Sequence, residues 1–353
     1  MTDEVAQPDA RRHGRATRDD VAARAGVSSA TVSYVVNTGP RPVAPETRAR
    51  VLAAIAELGY HPDNIARSLR VRQTHVLGLV LPDSANLFFA ELARRLERQA
   101  GDQGYRLFLC NSQEDVAREA SHLALLRDQR VDGIVLVPAD APGGSVSASL
   151  DGIPVVALDR VPPDWSGDSV RTDARQGGTL AVRHLLELGH RHIGFIHGPL
   201  RLTHARERLE GGLLALRLAG IEPRTAWQCP SEFDFAGGWA AARSLLTLPE
   251  RPTALCCSND AMAVGALAGL HALGYRLPED ISVTGFDDVP IAAYAIPPLT
   301  TVTQPYDAMV TAALAALLQR IGEAAAGRAP EPPRCRTLDI GLVVRGSTGM
   351  LVP

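Results

Sequence analysis

Over residues 17–59 the apolar positions recur at helical spacing. Val21, Ala22 and Ala25 follow Thr17-Arg18-Asp19-Asp20, whose S/T-x-x-D/E form is a capping box, and Gly26 ends this short helix. Ser28 can cap a second helix, in which Val32, Val35 and Val36 at i, i+3 and i+4 make the buried stripe. Ser29, Ala30, Ser33 and Tyr34 are left on its other face. Pro45 opens a third helix with an apolar stripe of Val51, Leu52, Ile55 and Leu58, closed by Gly59. Two short helices joined through a glycine turn have a helix-turn-helix layout, and the third can share their core.

From Thr74 the period changes. Short Val/Leu/Ile-rich runs (Val76 to Leu81, Arg106 to Cys110, Gly133 to Val137, Val155 to Leu158, Ile193 to His197, Ala254 to Ser258, Ile281 to Gly285) alternate with helical stretches. This is the βαβ rhythm of parallel sheets. Some ten strands are too many for one open sheet of this length, and the extended pieces near Thr172 and Thr301 to Pro305 read as crossovers between two lobes.

Charge sharpens the division. Residues 11–72 carry 11 Arg against 5 Asp and Glu, although the 353-residue chain has a net charge of −3. A basic terminal module on an acidic body fits a polyanionic partner, because neutralising phosphates releases counterions. No apolar run long enough to cross a bilayer is apparent, and Met1 to Arg15 is polar and Arg-rich, so neither a membrane span nor a secretory signal is expected and the protein is placed in the cytoplasm, at the nucleoid. Residues 1–16 read as a disordered basic arm. Five cysteines without C-x-x-C spacing predict no disulfide framework or zinc ribbon and read as buried small hydrophobes. His184, His190, His192 and His197 fit no helical i, i+4 metal pair. No phosphate loop, G-x-S-x-G or HExxH occurs, so no cofactor, metal or enzymatic activity is expected.

The run from Asp20 through Gly26-Val-Ser-Ser-Ala-Thr-Val-Ser-Tyr-Val-Val-Asn37, with Thr47-Arg48 and Gly59-Tyr60-His61-Pro62, resembles the LacI/GalR repressor family, and the likeness continues along the whole chain. The resemblance implies that residues 17–62 form the DNA-binding domain, with Ser29, Ala30 and Tyr34 at base-reading positions and Thr17, Ser28, Thr31 and Asn37 at backbone-contacting ones. Tyr34 departs from the arginine often found there, which implies a different half-site. Ala44 departs from the usual serine before Pro45, so a side-chain cap is missing. Residues 63–73 match the hinge helix, with Leu69 as a minor-groove wedge, Ala66 beside it, and Arg67 and Arg70 near phosphates; on pattern alone the segment also reads as an ordinary linker.

For residues 74–353 the resemblance implies a periplasmic-binding-protein-like core of parallel sheets with helices on both faces. Lobe one would hold about 74–172 and 304–334, and lobe two about 173–303 and 335–353. Ligands of such sheets bind beyond the carboxyl ends of the strands. There the resemblance assigns effector contacts to Phe88, Phe89, Asp159, Arg208, Phe233, Asn259, Asp287 and Tyr306. Phe88 and Phe89 also admit the reading of a buried helix start, and each polar residue that of a cap or ion-pair partner. The expected protein is a homodimeric repressor binding a palindromic double-stranded operator under the control of a sugar; no leucine heptads follow Arg345 to favour a tetramer. A purine-type co-repressor and a solute-binding protein are the alternatives.

Overall fold

The computed structural model describes residues 16–36, 42–60, 73–139 and 149–351. The chain divides into two compact units, 1–73 and 74–353, here called head and body. Residues 1–15, Asn37 and the hinge residues Ala66, Arg67, Leu69 and Arg70, for which roles are expected above, lie outside the described residues.

In the head, α1 (Arg18–Ala25) begins at a complete capping box, with the Thr17 amide and hydroxyl both donating to Asp20 Oδ2 and the Asp20 amide donating back to Thr17 Oγ1. It ends at Gly26, whose φ of 64° an L side chain rarely adopts. Helices α2 (Ser29–Val36) and α3 (Pro45–Leu58) complete a core of Val21, Ala22, Ala25, Val32, Val35, Val51 and Ala54. Leu52, expected on the buried stripe, is 50% exposed, and the small Ala54 takes the inward position. An Arg24–Glu57 ion pair of 2.7 Å ties α1 to α3 at the surface. Ala44 gives α3 no side-chain cap, as its residue type dictates.

The body holds two sheets. The first runs β12-β6-β5-β3-β1-β2, comprising Cys335–Leu338, Ser169–Thr172, Ile153–Leu158, Gly133–Leu136, Val76–Leu81 and Arg106–Asn111, with short β4 (Ser149–Leu150) against β5. All its pairings are parallel except that of β4. The second runs β13-β11-β10-β9-β7-β8, comprising Gly341–Val343, Thr300–Thr303, Ser282–Asp287, Ala254–Cys257, Ile193–His197 and Gln228–Pro230, parallel except for β13.

Period-2 alternation splits each lobe's core between two faces. Leu77, Leu79 and Leu81 face a cluster with α4 (Leu87–Asp102) and α10 (Tyr306–Ala325), while Val80 faces Leu123 and Leu126 of α5 (Val116–Asp128). In lobe two, Phe195, Cys256 and Phe286 pack with α6 (Ala174–Glu187) and α7 (Thr203–Leu218). Ile196, Leu255, Cys257 and Val283 pack with α8 (Phe235–Leu246) and α9 (Asp260–Ala272).

Three expectations need correction. Cys335–Leu338 pairs in parallel with Ser169–Thr172, so lobe one extends to residue 338 and the third crossover lies between Leu338 and Gly341, not at 334. Helix α10 is long and apolar enough to cross a bilayer, but buries Met309, Val310, Ala313, Leu314, Leu317 and Ile321 in lobe one and is a core helix. Cys110, Cys256 and Cys257 are buried, whereas Cys229 is half-buried and Cys335 exposed on the edge strand; all five are free thiols.

Candidate functional site

In the head, α2 carries Ser29, Ala30, Thr31 and Tyr34. Val32 and Val35 are fixed in the core, so the helical period leaves Ala30 exposed and Ser29, Thr31 and Tyr34 half-exposed. Ser28 Oγ accepts from the Thr31 amide at 3.2 Å and lies 2.9 Å from Thr31 Oγ1, while Ser29 Oγ donates to Asp19. The hydroxyls of Thr17 and Ser28 thus cap the starts of α1 and α2, and that of Ser29 ties α2 to α1.

In the body, the site residues come from strand ends in both lobes. Asp159 and Arg160 follow β5, and Asp287 is the last residue of β10. Asp159 and Asp287 hold φ values of 66° and 109°, conformations that cost about 1–3 kcal/mol each in non-glycine residues and persist where the surroundings impose them. Arg208 projects from α7, whose close approach to α6 depends on Gly178: a Cβ there would lie 1.9 Å from the Arg208 carbonyl. Its guanidinium stacks 3.7 Å over the Phe286 ring, donates to the Ser258 carbonyl at 2.6 Å and to Asp287 Oδ1 at 3.3 Å.

The pocket's electrostatics follow from burial. Desolvation raises the Asp287 pKa to about 6 despite the opposing Arg208 charge and the Gln304 hydrogen bond. Asp159 is raised for the same reason, with Arg160 and Arg208 opposing. Burial, reinforced by the charges of Arg160 and Arg208, holds His204 well below the usual imidazole range, so its ring is neutral. These mutual influences place Asp159 and Arg160 of lobe one with His204, Arg208 and Asp287 of lobe two in one buried polar cluster, the candidate pocket. Val289, just beyond β10, also packs into lobe one's core.

The remaining expected residues are divided between pocket and scaffold. Phe88 and Phe89 are each 3% exposed, lie edge-on at 5.2 Å, and belong to lobe one's core. Phe88 supports the Tyr306 ring at 5.5 Å, and Phe89 carries the Arg160 guanidinium 5.3 Å above its face. Asn259 caps α9, its Oδ1 accepting from the Met262 amide at 2.9 Å while its Nδ2 donates to the Phe233 carbonyl at 3.3 Å. Phe233 stacks on His204 at 5.4 Å and 20°.

Three site residues were not singled out from sequence. Arg160 is 7% exposed and pairs with Glu114 at 2.8 Å; its signal was its place next to Asp159 beyond a strand. His204 stands four residues before Arg208, on the same helical face. Gln304, 2% exposed, lies in the second crossover. The histidines weighed for metal binding have other partners: His190 meets Thr253 and Ser282 hydroxyls at 2.9 and 3.0 Å, and His184 meets Thr348 at 2.9 Å. Among the described residues no three His, Cys, Asp or Glu side chains gather as a metal site.

Four buried polar atoms of this cluster have no hydrogen-bond partner among the described residues: Arg160 Nε, Arg208 Nε, His204 Nδ1 and Tyr306 OH. Leaving such groups unpaired costs about 1–3 kcal/mol each, so the cluster is a candidate site for a ligand that carries hydrogen-bonding groups.

A helix-turn-helix head joined to a two-lobed body with a polar interlobe pocket defines a ligand-responsive DNA-binding regulator. Residues 17–63 match the bacterial regulatory proteins of the lacI family, and residues 182–348 match the periplasmic binding protein-like domain. The ribose operon repressor of Escherichia coli K12 is 41% identical over 87% of this chain and 93% of its own. The HTH-type transcriptional repressor PurR of Mannheimia succiniciproducens is 39% identical over 89% of this chain and 94% of its own. A crystal structure of the lac repressor dimer bound to operator and the anti-inducer ONPF aligns with a TM-score of 0.81 and 29% identity, covering 95% of this chain and all of that one. The chain belongs to the LacI family. It is a DNA-binding transcriptional repressor controlled by a small-molecule effector, a cytoplasmic protein and not an enzyme.

Proposed function

We propose that the interlobe pocket binds a sugar, with D-ribose the first candidate, and that its occupation lowers affinity for a palindromic operator at the nucleoid. The observation that carries this reading is the convergence of four unpaired polar atoms on the two carboxylates Asp159 and Asp287. A sugar hydroxyl both donates and accepts, so one polyol can satisfy the carboxylates and the Arg160, Arg208, His204 and Tyr306 groups together. The ribose operon repressor's likeness over nearly its whole length directs attention to a pentose. Phe88 and Phe89 act by backing Tyr306 and Arg160, Phe233 supplies an aromatic wall with His204, and Asn259 fixes the Phe233 segment.

On DNA, α2 enters the major groove. Ser29, Ala30 and Tyr34 read bases, while Thr17, Ser28, Thr31 and Asn37 meet the backbone. The hinge residues Ala66 and Leu69 take the minor groove when two copies assemble. A purine effector is the second reading, favoured by the His204–Phe233 stack, which offers a flat wall to a flat ring.

A thermal-shift panel of D-ribose, other pentoses, hexoses and purine bases on the full chain decides between them. A ligand at 100 times its Kd adds about 2.7 kcal/mol to the folded state. The expected result is a saturable rise with a sugar that is lost in Asp287→Asn. A rise with purines alone would establish the second reading, and no rise with any compound would refute both.

A further inference from the structure

The pocket is hydrogen-bonded to two of the three chain segments that join the lobes. Thr172, the last residue of β6, lies on the first crossover, and its Oγ1 donates to Gln304 Oε1 at 2.7 Å. Gln304 lies on the second, between β11 and α10, and its Nε2 donates to Asp287 Oδ1 at 3.0 Å. The same Asp287 oxygen accepts from Arg208 at 3.3 Å, and Arg208 continues to the Ser258 carbonyl at 2.6 Å. Gln304 is anchored at the backbone too, its carbonyl accepting from the Tyr306 amide at 2.9 Å. A buried amide with both ends engaged admits few alternative positions, so a shift of the Asp287 carboxylate must be matched by the two crossovers. The charged or titratable groups facing Asp287 are Arg208 from α7, Asp159 beyond β5, Asp260 from α9 and Tyr306 from α10.

We propose that Gln304 is the positioning residue that couples the effector pocket to the angle between the lobes, holding Asp287 on one side and reading Thr172 on the other. This rests on the reading of Asp287 as an effector contact. Its distinguishing feature is a separation of binding from response: the Thr172–Gln304 bond carries no ligand, so losing it leaves the pocket complete but disconnected from the crossover.

The test uses full-length Thr172→Val, Thr172→Ser and Gln304→Glu with D-ribose as the probe. Gln304→Glu keeps an acceptor for Thr172 but replaces the donor to Asp287 with a second carboxylate. In the wild type, D-ribose should change operator affinity within the usual range of about 5–150-fold. Thr172→Val should bring that ratio close to unity while the D-ribose Kd stays within about threefold, Thr172→Ser should restore the ratio, and Gln304→Glu should lose it. A wild-type ratio in Thr172→Val, or a loss of D-ribose binding that accounts for the lost response, would overturn the proposal. If the wild type ignores D-ribose, the assignment of D-ribose as effector fails instead. The coupling is then judged without ligand by the pH profile of body unfolding, in which Gln304→Leu should move the Asp287 titration upward; an unmoved profile overturns the proposal.

Discussion

The head sets its helix starts with polar neighbours three residues apart, whereas the body gathers its polar cluster from residues 159 to 306 and leaves four atoms open. In the head, Thr17 and Asp20 satisfy each other three residues apart, as do Ser28 and Thr31, and the reading surface is what remains of a helix locked by Val32 and Val35. In the pocket, Arg208 and Asp287 face each other at 3.3 Å while buried and lie 79 residues apart. A buried ion pair of this kind contributes little net stability, because desolvation offsets its attraction, but losing one partner is costly. The head therefore spends these polar groups on shape, whereas the body leaves four buried polar atoms unpaired among the described residues.

That contrast can be attacked at its strongest point first. Arg208→Met removes the charge that keeps Asp287 ionised and the donor to the Ser258 carbonyl, so the carboxyl takes up a proton and the body should lose about 1–3 kcal/mol at pH 7 in chemical denaturation. A loss under about 1 kcal/mol would mean that solvent already screens the pair.

A smaller effect concerns protons. In the empty pocket the Asp287 carboxyl is raised to about 6, above its unfolded value, so the effector-free body is less stable once the group ionises and loses stability as pH climbs from about 4 toward 6. A sugar that donates hydroxyls to the carboxylate selects the ionised form. Its affinity should therefore be full above pH 6 and fall by up to about tenfold per unit below it, as read by calorimetric titration. A flat profile between pH 5 and 7 would remove Asp287 from the contact set.

The smallest effect belongs to the head. Ala44→Ser supplies the missing cap to α3 and should stabilise the head by about 0.5–2 kcal/mol without moving the body's transition. A matching shift in the body would contradict the division into two independent units.

The same contrast explains what could be read from sequence. The capping box, the Gly26 and Gly59 stops and the uncapped Pro45 helix are local, and each appears where its residues put it. Leu52 misled because hydrophobicity outranked position: one residue beyond Val51, it lies about 100° round the helix, and the inward slot falls to a mere alanine. The strand at Cys335–Leu338 was assigned to the wrong lobe because its partner, Ser169–Thr172, is distant in sequence and its own exposed edge carries no apolar run.

In the pocket, Asp159 and Asp287 could be found from their place at strand ends. Arg160, His204 and Gln304 could not be given a role before the lobes were brought together, since their significance lies in unpaired or bridging atoms. Phe88, Phe89 and Asn259 carried two readings each, and the structure engages all three in core packing or capping beside the pocket.

The central claim is that occupation of this pocket controls the grip on DNA. Fluorescence anisotropy of a labelled palindromic operator, titrated with the dimer at fixed salt in the absence and presence of the sugar that gives the thermal shift, measures it directly. The expected result is a saturable weakening of operator binding by the sugar, about 5–150-fold, that disappears in Asp287→Asn. Operator affinity that is unchanged by a sugar occupying the pocket, or tightened by it, would contradict the account.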